Sequence, residues 1–172
     1  MAITLYLARA MSHRVKEDVV KEAKSDKEFF EKSGFKVNCP VEKERIPSTK
    51  QVLLASKKAL QTFWPQDKKL IRESHVLIDM SPTYNSEGVK HELAYARFCL
   101  WKPVVRVFPS GQLPIGSSVA YLEDDMVCDS LLEAVEYIYR VHGTLYKRLK
   151  WRMLMLLRCL PKWIMYQIQE FK

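Results

Sequence analysis

Glycine is scarce in this chain, with 5 in 172 residues, and proline contributes only 8. Little room is left for a long flexible linker, and 48% apolar with 28% charged residues is the composition of a folded domain. One domain with one core is expected at this length. No Gly-x-x-x-x-Gly-Lys loop and no Gly-x-Gly-x-x-Gly turn occurs, so ATPase and Rossmann dehydrogenase readings lack support. The 4 cysteines stand at 39, 99, 128 and 159, with no pair at metal-ligand or redox spacing. His13, His75, His91 and His142 likewise lack ligand spacing with any cluster of Cys, Asp or Glu, so no metal or redox cofactor is expected. No secretory leader is read before the strand-like Ile3-Thr4-Leu5-Tyr6-Leu7, and free thiols suit a reducing cytosol, so a cytoplasmic location is expected. Nor is there an apolar run near the roughly 20 residues of a membrane crossing.

The net charge of +8 is unevenly spread. Residues 144–172 hold seven Lys or Arg against the single acid Glu170, a net of +6, which leaves +2 for residues 1–143. The basic character therefore belongs to the tail, and specific nucleic-acid binding by the body is not expected. The expected organisation is a body over 1–143 and a basic amphipathic helical extension over 144–172. Charges at 152, 158 and 162 interrupt the apolar residues of that extension, and Pro161 kinks or breaks it. Such a segment suits an anionic membrane surface, or packing against the body or another subunit.

Along the body, apolar runs alternate with amphipathic stretches. Strands are predicted at Ile3–Ala8, Phe35–Cys39, His75–Met80, Pro103–Phe108 and near 119–122. Helices are predicted at Val15–Lys32 (ended by Ser33-Gly34), 51–63, Asp67–Ser74, Val89–Leu100 and Asp129–Val141, with 41–50 as loop. This alternation predicts an α/β fold, a flavodoxin- or Rossmann-like parallel sheet of about five strands with helices on both faces. Ligands of such folds sit at the carboxyl ends of the strands, here the loops Arg9–Arg14 and Ser81–Gly88.

Glu92 is expected in the first turn of the helix after the second of these loops, beside free backbone N–H groups. An acid there also serves as ordinary capping. Asp79, near the end of the third strand, suits ligand contact or capping of the next loop. The surrounding string is more specific. Asp67, the strand His75–Met80, Ser86-x-Gly88-x-x-x-Glu92-Leu93-Ala94-Tyr95-Ala96 and Lys102-Pro103-Val104-Val105 together resemble the nucleoside 2-deoxyribosyltransferase superfamily over roughly residues 3–140. That superfamily includes base-exchanging transferases and hydrolases of nucleoside monophosphates.

The resemblance implies roles. Glu92 stands where the family places the nucleophile that attacks the anomeric carbon, Asp67 near the acid that assists the leaving base, and Tyr6 at an aromatic that holds sugar and nucleophile. Ser86 stands where the transferases carry an acid and the monophosphate hydrolases a phosphate-binding serine, which favours a nucleoside 5′-monophosphate and its hydrolysis over base exchange. Ser117 or Ser118 corresponds to a phosphate-binding serine contributed by a neighbouring subunit, and a homo-oligomer is implied. The first loop departs from the family's Gly followed by Ser or Pro. Here Arg9, Ser12 and Arg14 are placed to clamp phosphate, or Arg9 fills the pocket and leaves a nucleotide-binding module without turnover. Lys90 reads as a solvated helix residue, and Glu87 beside Ser86 would repel a phosphate if it turned inward.

Overall fold

The computed structural model describes residues 2–11, 14–43, 64–80, 86–108 and 126–144, together with 147, 149, 150 and 153. The predicted helix over 51–63 and the predicted strand near 119–122 lie outside the described residues. So do Ser12, Ser117 and Ser118. Two compact units divide the chain, Met1–Val135 and Glu136–Lys172.

The first unit is built on five strands, β1 (Thr4–Ala8), β2 (Lys36–Asn38), β3 (Val76–Asp79), β4 (Val104–Val107) and β5 (Met126–Cys128). All neighbours are parallel and the order is β2-β1-β3-β4-β5, a flavodoxin-like sheet. Every residue of the central β3 and β4 is buried, as their near-continuous apolar sequences require of strands covered on both faces.

The helices are α1 (Lys16–Lys32), a single turn α2 (Pro40–Lys43), α3 (helical over 64–73), α4 (Glu87–Ala94) and α5 (Leu131–His142). Leu5 is in register with Val37, and Tyr6 with Leu77 and Asn38. Side chains alternate along a strand, so Leu5 and Val37 face one side of the sheet and Tyr6 and Leu77 the other. Val37 packs with Val19 and Ala23 of α1, and Tyr6 with Leu70 and Ile71 of α3 and Val89 and Leu93 of α4. Helices thus cover both faces.

Local chemistry sets the ends of these elements. Gly34 takes φ 87° and donates to Glu31 O, closing α1 in the left-handed conformation that only glycine adopts without strain. The loop predicted over 41–50 gives way at its start to α2, which Pro40 opens because its missing N–H costs nothing at a first helical position. The predicted helix Val89–Leu100 begins two residues earlier, at Glu87, and changes at Tyr95–Cys99 into a π-helical turn.

Between β1 and β3 the sheet reverses its direction of growth, β1 connecting towards β2 and β3 towards β4. Met80 N donates to Ala8 O, so the carboxyl ends of β1 and β3 lie side by side at this switch point. A crevice for ligands opens outside such paired ends.

Candidate active site

Ser86 follows the loop after β3 and sits at the N-cap of α4, its Oγ accepting from Val89 N at 3.5 Å. That cap corrects the expected position of Glu92. The helix starts at Glu87, so Glu92 is its sixth residue and belongs to the second turn, beyond the free N–H groups of the first. The hydroxyl of Ser86 competes for the helix start because it satisfies an orphan N–H, which the apolar periodicity of Val89, Leu93 and Ala96 does not register. Glu92 is half-buried, with its Oε2 buried. It lies one turn after buried Val89 and one turn before buried Ala96, which turns it towards the sheet.

Asp67 lies on α3, one turn before Ile71, and is itself buried. Burial raises its carboxyl from the usual 3.8 to about 6, because desolvation penalises the charged form. Helix α3 runs into β3 through Ser74, so its Asp67 end lies towards the carboxyl edge of the sheet. Packing joins α3 to α4 through edge-on contacts of the Trp64 ring with His91 and Tyr95, and Arg72 Nε donates to the Tyr95 hydroxyl at 2.8 Å. Tyr6, fully buried on β1, belongs to the core cluster that these two helices share. The elements bearing Tyr6, Asp67 and Glu92 are therefore packed together.

The remaining candidates separate. Gly88 is the second residue of α4, and a Cβ there would meet only Ser86 Oγ at 3.8 Å, an ordinary contact. The fold itself does not require this glycine. Glu87 is exposed and pairs with Lys90 at 2.8 Å, so it turns outward, and the Lys90 ammonium holds its carboxyl below the usual range. His91 Nδ1 lies 2.7 Å from Glu87 O on the same exposed side.

Arg9 and Arg14 are tied to α1. Arg9 is buried, with Nη1 donating to Glu22 at 2.6 Å and Nη2 to Asp26, while Arg14 Nη2 donates to the other oxygen of Glu22 at 2.6 Å. Burial lowers the pKa of Arg9, and the Glu22 carboxylate opposes that shift. These pairs fasten the start of the first loop to α1 and offset the charge expected there for a phosphate.

Asp79 ends β3 almost completely buried, in register with Ala8 on one side and Arg106 on the other. Arg106 Nη1 lies 3.7 Å from its Oδ2. Sequence reasoning missed Arg106, although a cation inside Val104-Val105-Arg106-Val107 was a visible signal: a charge in a buried strand needs a partner. The pair stands on the Tyr6 face of the sheet, at the carboxyl ends of β3 and β4.

Lys102, part of the recognised string, has a structural role. Its Nζ donates to Ile71 O and Arg72 O at 2.6 Å each and also to Ser74 O, closing the end of α3. His75 is structural too, its Nδ1 accepting from Thr4 N at 2.9 Å. Among the described residues, no group of three or more His, Cys, Asp or Glu could hold a metal ion.

With this geometry in view, the solved structures are informative. A 2-deoxyribosyltransferase from the psychrotolerant bacterium Bacillus psychrosaccharolyticus matches with a TM-score of 0.59 at 16% identity, over 78% of this chain and 91% of that one. This chain has the fold of that transferase. A conserved protein from Enterococcus faecalis V583 matches at 0.57 and 15% identity, over 81% of this chain and 99% of that one. The CMP N-glycosidase BcmB of Clostridium botulinum is also found, at 0.47 and 16% identity, covering 78% and 96%. No family model and no curated protein matches the sequence.

Proposed function

We propose that this chain belongs to the nucleoside 2-deoxyribosyltransferase-like superfamily and is an N-glycosidase of nucleoside or deoxynucleoside 5′-monophosphates, with Glu92 as nucleophile. The observation that carries the reading is the buried Asp67 carboxyl, held at about 6 on a helix that packs with β1 and α4. A leaving base needs a proton or a strong hydrogen bond, and desolvation lets Asp67 keep its proton to a higher pH than an ordinary carboxyl, up to about pH 6. A carboxylate at the anomeric carbon stabilises the oxocarbenium-like transition state, and a covalent glycosyl–enzyme divides the reaction into two displacements. Water then completes a hydrolase cycle. Ser86 and Gly88 at the start of α4 would accommodate the 5′-phosphate, for which a helix N-terminus is favourable. Ser12, Ser117 and Ser118 are assigned to the same substrate, and Tyr6 to the sugar. The fold shared with a 2-deoxyribosyltransferase supports the reaction class, and a homo-oligomer is part of the proposal.

The test is a panel of nucleosides and their 5′-monophosphates, with free base detected by chromatography. Release from monophosphates is expected, reduced by about 10³-fold or more in Glu92→Gln while the fold survives. A blank panel overturns the reading. Base exchange on addition of a second free base would instead select a transferase. Calorimetric nucleotide binding without any product would instead select a binding module.

A further inference from the structure

The carboxy-terminal segment takes no part in the chemistry above, and its pattern has its own logic. Helix α5 ends at His142, and the following Gly143 N–H donates to Tyr139 O at 3.1 Å. Any Cβ at Gly143 would collide with that same carbonyl, so the close approach demands glycine. Helical structure then restarts: Thr144 Oγ1 accepts from Lys147 N at 3.2 Å, and residues 147, 149, 150 and 153 are helical. Leu149 is 51% exposed and Met153, four residues on, 64% exposed. Lys150, three residues before Met153, is exposed on the neighbouring side, and Lys147, exposed as well, reaches Tyr139 O at 3.4 Å through its Nζ.

Two apolar side chains at that spacing share a helix face, and both stand exposed on it. Over 144–172 the sequence carries seven Lys or Arg and one acid, with more than half of the remainder apolar, including Trp151 and Trp163. Interrupting charges exclude a crossing, and no described helix is long and apolar enough for one. We propose that this segment docks the protein onto an anionic phospholipid surface, its cations meeting the headgroups while Leu149 and Met153 enter the interface. Charge complementarity selects a polyanion, and the dense apolar content selects a lipid surface over nucleic acid, because exposed Leu and Met gain nothing from a phosphate backbone.

The full-length protein is floated with vesicles of phosphatidylcholine alone, or with about three parts in ten phosphatidylserine. Flotation is expected only with the anionic vesicles, and raising salt from about 0.05 M to about 0.5 M is expected to release the protein. Lys147→Gln combined with Lys150→Gln is expected to weaken partitioning about thirtyfold. Leu149→Gln combined with Met153→Gln is expected to weaken it about tenfold or more. Equal flotation with both vesicle types, or none with either, overturns the proposal, and the salt series gives that answer without any variant. Binding to duplex DNA without flotation would make the surface a nucleic-acid site and overturn it. Dissociation of an oligomer by Leu149→Gln with Met153→Gln, without loss of flotation, would assign that face to a second copy of this chain and also overturn it.

Discussion

Asp67 offers the most direct handle at the scale of single residues. Its carboxyl is raised from 3.8 to about 6, so the folded state holds the proton more tightly than the unfolded chain. The stability this contributes is complete below about pH 4 and is lost as the pH climbs through 6. Asp67→Asn removes that loss. It is expected to be more stable than the parent at pH 8 by about 1 kcal/mol, after allowance for residual solvent contact, with the difference gone at pH 4 in urea unfolding. Base release should fall as pH rises through about 6, and the asparagine variant should lose both that limb and roughly 10²–10⁴-fold in rate. Gly88 separates stability from binding. Since a methyl there meets only ordinary contacts, Gly88→Ala is expected to raise stability by about 0.5 kcal/mol. The same methyl crowds the start of α4, so calorimetry should find weaker nucleotide binding.

Among the secondary elements, the link from α4 to β4 is the most constrained. After the π-helical turn, Trp101 takes φ 52°, a left-handed conformation that costs a non-glycine residue about 1 kcal/mol. Lys102 follows and closes α3 with three carbonyl bonds, so Lys102→Met is expected to cost about 2 kcal/mol in thermal or urea unfolding. Four of the observed strands were legible because their apolar runs are bounded by polar or turn residues, and the parallel sheet followed from their alternation with helices. β5 has no counterpart among the predicted strands, since Met126-Val127-Cys128 is too short to show a period, and the strand expected near 119–122 lies outside the described residues. The cap made by Ser86, the helix start at Pro40 and the π-helical turn left no trace in the spacing for a related reason. Each depends on where single backbone groups find partners, whereas hydrophobic spacing reports only which face is buried. In the candidate site, Glu92 and Asp67 were named from a motif. The Arg9–Glu22–Asp26 tether joins residues up to 17 positions apart and carried no local pattern.

For the whole molecule, large apolar side chains remain on the surface of the first unit. Phe98 is 57% exposed and Trp101 38%, in adjoining segments, as expected of surfaces that meet another subunit. Sedimentation velocity is expected to find a dimer or larger assembly, which Phe98→Ser should shift towards monomer. The strand order carries one more consequence, for folding during synthesis. β1 is an interior strand, yet its inner partner arrives only when Val76 pairs beside Leu5, 71 residues later. Until then the emerging chain carries Thr4–Ala8 with at least one edge open, an apolar ribbon able to join a like ribbon from a neighbouring polypeptide. Yield in expression should therefore depend on translation speed between the codons for β1 and β3 more than on the final stability of the sheet.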